Sequence, residues 1–219
     1  MSFAFGREFR TVQLVVFFVC FLLATFMRGD NPSAFNPPPA AAAKTYPAHE
    51  SHDDEKVAIA IDPFDLPDKA KIFEINYQEK GFLPVRLIIS NDGDRSLSLN
   101  DLKILFITVR REKLEPATAD DVYRRIILKG NPPSKLPRTK NSASENAQEV
   151  MAELDAAQLL VVPMQPHSLR SGFLFFDIRG IEPPEAGAHI YITGVKATGK
   201  ELFYFDIPLE KYLASQPGK

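Results

Sequence analysis

The sequence predicts a mainly β protein, an antiparallel β-sandwich with a short helical insertion, preceded by one N-terminal transmembrane or signal helix. Three observations carry this. Apolar residues alternate with period two in short runs between Val57 and Ile207, as expected for strands with one buried face. Turn-forming residues separate those runs without a strand–helix–strand rhythm, and 18 prolines, 17 phenylalanines and no tryptophan suit a β-rich chain with stiff connections. At the start, Arg7 and Arg10 precede an uncharged, largely apolar run from Val12 to Met27, which Arg28 and Asp30 close.

Four regions follow from the composition. Residues 1–29 form a signal anchor or signal peptide. As a helix, the run would cover ~24 Å, slightly short of a bilayer core, and Arg10 and Arg28 can snorkel to make up the difference. The stretch Leu22 to Met27 offers a poor cleavage site, so an uncleaved anchor with the C-terminal domain extracytoplasmic is the first expectation; a secreted or periplasmic product of cleavage is the alternative. Cys20, the single cysteine, follows Val19 rather than a small residue, which argues against a lipidation site. Residues 30–55 hold Pro37-Pro38-Pro39, the alanines 40–43 and a charged stretch ending in Glu55, and read as a disordered tether in extended polyproline conformation. Residues 56–213 are the β-sandwich domain with an insertion at 112–157, and 214–219 are a flexible tail.

Within the body, Ile59 and Ile61 alternate into the turn Asp62-Pro63, and a less regular stretch follows through Ile72 and Ile75. Val85, Leu87 and Ile89 share one face of a strand whose other face carries Arg86 and Ser90. Asn91-Asp92-Gly93-Asp94 reads as a hairpin turn. Leu97 and Leu99 then alternate in one phase and Leu102, Ile104 and Phe106 in the other; the slip at Asn100-Asp101 predicts a bulge or a strand that changes sheets. Leu102 to Val109 is apolar in both phases except Lys103 and reads as a central strand covered on both faces. In the insertion, Thr118-Ala119-Asp120-Asp121 is a helix start, Val122/Ile126 and Tyr123/Ile127 have helical spacing, and Gly130, Pro132 and Pro133 stop the helix. Val150, Met151 and Leu154 suggest a second short helix. Strands return at Leu159–Val162, Gly172–Ile178, Ile190–Val195 and Glu201–Ile207, the last with Phe203, Phe205 and Ile207 on one face.

Two segments resemble exported bacterial immunoglobulin-like β-sandwich domains of unknown function. They are Leu83 to Asn91 followed by Asp92-Gly93, and Val162-Pro163 with Ser168 and Gly172-Phe173-Leu174-Phe175-Phe176-Asp177. The resemblance covers residues 56 to 210 and implies an envelope-facing immunoglobulin-like sandwich without catalysis. No functional residues carry over, and the insertion departs from the pattern.

The chemistry is correspondingly thin. Net charge is −2, so no global field favours nucleic acid. With Cys20 inside the apolar run, the body has no disulfide, thiol nucleophile or cysteine-based metal site. No phosphate-cradling glycine loop, serine elbow or paired-histidine zinc motif is present. His49 and His52 beside acidic residues read as solvated linker. Asp62, Asp65 and Asp68 offer three carboxylates, more simply turn residues than a calcium site. Arg110-Arg111, Arg124-Arg125, Lys129, Lys135, Arg138 and Lys140 gather basic charge around the insertion. His189 reads as a strand-start residue. No catalytic, metal or cofactor residues are expected. The expected function is a membrane-tethered or exported non-enzymatic envelope protein, a binding or structural module. Its expected partners are the membrane, through the N-terminal helix, and a protein or cell-envelope surface met by the insertion, whose removal should leave the fold intact. The alternative is an exported hydrolase using His167 with Ser168 or Ser171.

Overall fold

The frame is set by β-branched and aromatic runs that pair in long antiparallel registers. The computed structural model describes residues 35–129 and 140–216; the expected N-terminal helix lies outside them. Among the described residues no helix is long and apolar enough to cross a membrane. In order, the elements are a 3-10 turn at Ala43–Thr45, β1 (His49–His52), β2 (Val57–Pro63), α1 (Pro67–Ala70), β3 (Phe82–Asn91), β4 (Leu97–Ser98), β5 (Lys103–Ile107), β6 (Lys113–Leu114), α2 (Ala119–Lys129), α3 (Lys140–Ala157), β7 (Ser168–Asp177), β8 (His189–Thr193), β9 (Lys196–Ala197), β10 (Lys200–Glu201), β11 (Phe205–Pro208) and α4 (Glu210–Leu213).

These strands make a four-stranded sheet β1-β2-β3-β7, a second four-stranded sheet β11-β8-β5-β6, and a small three-stranded sheet β10-β9-β4. The protein is mainly β, with antiparallel sheets and few helices. Val57, Ile59 and Ile61 of β2, Val85, Leu87 and Ile89 of β3 and Phe176 of β7 share one buried cluster with Ile104 and Phe106 of β5, Ile190 and Ile192 of β8 and Phe205 and Ile207 of β11. The rings of Phe106 and Phe176 meet across it at 5.3 Å. On one side the sheets are closed where β1 meets β11: His52 stacks on Phe205 with ring centroids 4.0 Å apart, and the Glu50 carboxylate accepts the backbone N–H of Asp206.

The opposite face of the first sheet is buried as well. Phe82, Phe173 and Phe175 project from it into a second cluster with Phe64, Phe73 and Tyr77 of the β2–β3 connection, Val122 of α2, and Val150, Leu154 and Ala157 of α3. The helices are therefore a layer of the fold rather than an appended surface. α2 begins where the sequence places it: the Thr118 hydroxyl accepts the N–H of Asp121 at 3.1 Å and donates to that residue's carboxylate at 2.7 Å. Burying the five phenylalanines of this cluster contributes about 2 kcal/mol each, so removing Leu114 to Ala157 would leave a sheet face that water cannot solvate cheaply. The insertion thus contributes Val122, Val150, Leu154 and Ala157 to a buried cluster, where the sequence reading treated it as a separable surface.

Nor does the tether survive as expected. Within 30–55, residues 35–55 are folded: β1 pairs with β2 from His49↔Ala60 to His52↔Val57, and Ala43 and Ala48 are fully buried. Ala43 packs on Ala58, Ala60 and Ile88, and its N–H donates to the Ser90 hydroxyl at 2.9 Å. At the other end, the N–H groups of Ala214, Ser215 and Gln216 donate to carbonyls of residues 210–213, so the expected tail continues the last helical turn as far as Gln216.

Several strand expectations shift for identifiable reasons. The doubly covered strand is β3, buried along all its length, because Arg86 and Ser90 serve neighbours instead of water. β5 is covered on one face only; Lys103 is exposed, Leu105 and Ile107 are half-buried and Val109 is exposed. The slip at Asn100-Asp101 is a change of sheet, with β4 pairing β9 and β5 pairing β8. Asn91 to Asp94 is likewise no hairpin, since β3 pairs with β2 and β7 and the chain leaves for the small sheet. Phe203 is 78% exposed: Leu202 takes the core position when its N–H bonds Val195, and the phase resets before Phe205. Leu159–Val162 forms no strand, only a bridge from Gln158 to Phe173.

Candidate functional site

The residues nominated as a hydrolase centre do not converge. His167, held at φ +52°, places Nε2 2.9 Å from Asp94 Oδ1, a pair on open surface with both side chains more than half exposed. The Ser168 hydroxyl donates to the Gln165 carbonyl at 2.6 Å, and the Ser171 hydroxyl accepts from Arg86 at 3.1 Å. Neither is bonded to the imidazole, and nucleophilic attack needs that bond and an oxyanion donor pair.

The other candidates are also in structural use. Asp62 pairs with Lys69, Asp65 accepts the Tyr212 hydroxyl, and Asp68 pairs with Lys71, so the three carboxylates point to separate partners. His49 Nδ1–H donates to the Tyr46 carbonyl at 2.6 Å, and His189 bonds Asp206 across β8 and β11. Among the described residues, no group of three histidine, cysteine or acidic side chains is arranged to hold a metal ion. Of the basic residues, Arg124 is paired with Asp120 at 2.7 Å and Arg125 with Asp177 at 2.6 Å. Two guanidiniums, those of Arg179 and Arg125, hold the Asp177 carboxyl well below the usual carboxylate range. Arg125 also lies over the Phe82 ring at 4.1 Å, which fixes α2 to the sheet. Under α3, the buried Glu153 carboxylate accepts the Tyr77 hydroxyl at 2.6 Å and the Glu74 N–H at 2.7 Å, while burial pushes its pKa up.

What remains unassigned is an apolar side of the molecule beside β7, whose outer edge is met by the Ala117 N–H at the Phe175 carbonyl and by the bridge from Gln158 to Phe173. The chain leaving α3 is pinned there. The Arg170 guanidinium donates to the carbonyls of Leu160, Val162 and Pro163, and Met164 exchanges both backbone bonds with Leu97. Gly172 allows the close approach: a Cβ there would lie 2.3 Å from Leu159 Cα. With its carbonyls turned inward, the segment points Leu160, Val161 and Val162 at solvent, 64%, 48% and 50% exposed. A groove of about 340 Å³ opens next to them, lined by Leu102, Ile104, Leu154, Leu159, Val161 and Leu174. No family model, curated protein or solved structure matches this chain.

Sequence reasoning read Leu159–Val162 as a strand and so missed this surface. The available signal was Gly172 inside an otherwise bulky strand, which marks a place where another backbone comes close. A second cleft, about 590 Å³, lies between residues 78–81 and 178–185; Glu79, Glu182, Lys80 and Arg179 line it with mixed charge.

Proposed function

We propose that this chain is a non-enzymatic module of the cell envelope, held at a membrane by its N-terminal apolar run and acting through surface contact. In this reading its β body is an immunoglobulin-like sandwich, and the working surface is the apolar side along β7. The observation that carries it is the exposure of Leu160, Val161 and Val162 as a run, on a segment whose backbone is fixed by Arg170. Isolated exposed aliphatics are ordinary on soluble proteins; a rigid cluster next to a groove marks a contact surface.

The test is alkaline extraction and protease protection of the full chain in membrane vesicles. The chain should stay with the membrane, and the domain should be digested only from the extracytoplasmic side; release into the soluble fraction overturns the membrane-held part. The non-enzymatic part is tested by screening ester, amide and phosphoester substrates. The His167–Asp94 pair favours the rival hydrolase to the extent that it supplies an oriented base, and turnover abolished by His167→Ala would establish that rival.

A further inference from the structure

We propose that the outer face of the second four-stranded sheet is a binding platform for an acidic sugar chain, with Tyr191 and Tyr204 as the stacking surface and Lys103 and Lys113 as the cations. This face is separate from the surface beside β7, and the inference stands apart from the membrane-held reading.

Side-chain alternation defines the face. In β5, β8 and β11 the residues Ile104, Phe106, Ile190, Ile192, Phe205 and Ile207 point into the main core, so their neighbours point away from it. The pairing registers set those outward residues in rows. Lys103 lies opposite Thr193, and Leu105 lies opposite Tyr191, which lies opposite Asp206. Ile107 lies opposite His189 on one side and Lys113 of β6 on the other. All are half-buried or exposed, and none joins one of the described buried clusters. Tyr204, 52% exposed just before β11, brings its ring to that of Tyr191 with centroids 5.1 Å apart and planes 31° apart.

The composition of this face selects its occupant. Leu105 and Ile107 each have a hydrogen-bonding side chain beside them across the strand, unlike the contiguous apolar centre that a protein or lipid contact uses. A sugar ring presents the matching mixture: C–H faces that lie on aromatic rings, and hydroxyls that exchange hydrogen bonds around them, both of which tyrosine offers. Charge then narrows the sugar. The carboxylates nearby are engaged: Asp206 by His189, Asp101 by Lys196 at 2.6 Å, and Glu201 by the Gly194 N–H at 2.9 Å. Lys103 and Lys113 are exposed and stand ~13 Å apart along the direction of β5, so they complement carboxylates spaced along a chain rather than one compact anion. A nucleic acid would need many more cations than two lysines on a protein of net charge −2.

The test is biolayer interferometry of the full chain in detergent on immobilised polygalacturonate, alginate and hyaluronate. Methyl-esterified polygalacturonate serves as the uncharged sugar, polyglutamate as the acidic polymer without sugar, and oligo(dT) as the nucleic acid. The chain should bind at least one acidic polysaccharide, and bind it more tightly than any of these three controls. Tyr204→Ala should weaken that binding about tenfold through the loss of a stacking contact. Lys103→Gln and Lys113→Gln should each weaken it about threefold, and Leu160→Ala, on the other surface, should leave it unchanged. Binding to none of the three acidic polysaccharides overturns the proposal. So does polyglutamate binding as tightly as the sugars with Tyr204→Ala without effect, because charge alone would then account for it. Tighter binding of oligo(dT) would assign the face to nucleic acid, and a dimer that Tyr204→Ala converts to monomer in sedimentation would assign it to a second copy; either result overturns the sugar.

Discussion

Single side chains decide where this chain turns and how its layers are joined. Asn91 is buried, its amide donating to the carbonyls of Arg95 at 2.8 Å and Gln165 at 2.9 Å, and its carbonyl oxygen accepting from Gly93 at 3.2 Å. Asn91→Ala strands two carbonyls and an N–H and should cost about 2–3 kcal/mol, read as a lower urea midpoint at unchanged slope. Two carboxyls give stability opposite pH dependences. Asp177 is held low by Arg179 and Arg125, so its contribution is present above the ordinary carboxylate range and lost as pH falls toward its folded value. Asp177→Asn should cost about 1 kcal/mol at pH 7, discounted because the side chain is a third exposed, and the gap to wild type should close on acidification. Glu153 is held high by burial, so its contribution is full at acid pH and lost as pH rises through its raised value. Melting curves of Glu153→Gln should therefore improve relative to wild type as pH rises from about 4. Asn91 was visible in the sequence as a turn former, but its partner Gln165, 74 residues away, was not.

Elements were legible where their own side chains carry the signal. β2, β3, β7 and β8 appear because inward-facing Val, Ile, Leu and Phe alternate, and the start of α2 appears because Thr118 and Asp121 form a local cap. The segment after α3 was misread because apolar content says nothing about which side of a chain meets water; Leu160 to Val162 are as greasy as a core strand, and only Arg170 and Gly172 turn them outward. That makes Gly172 the position on which the surface depends. Gly172→Ala must lift the Leu159 backbone off β7, costing about 1–3 kcal/mol, and hydrogen exchange should rise across 158–164 before it rises in β3. Protection lost equally everywhere would show that this segment is no separate element. The coarse β class was thus readable, whereas the contact surface needed the third dimension.

At the scale of the whole molecule, the informative failure is the tether, because it changes what the protein can do in space. Its proline and alanine content argued for disorder through low capacity to bury apolar surface. The structure answers with small residues: Ala43, Ala48, Ala58 and Ala60 are each fully buried, Ala43 packing on Ala58 and Ala60 and Ala48 joining the main cluster. Alanine burial leaves no periodic mark, and pairing of β1 to β2 supplies main-chain bonds that composition does not register. A segment held this way should behave as a strand of the body even when the covalent link is cut. The turn between β1 and β2 is exposed at Asp53, Asp54 and Glu55, so a specific protease site placed there can be cleaved in the folded full chain in detergent. The N-terminal piece should then co-elute with the body on size exclusion and separate only in denaturant. Its release under native conditions would mean that residues 35–52 are bound too weakly to count as part of the body.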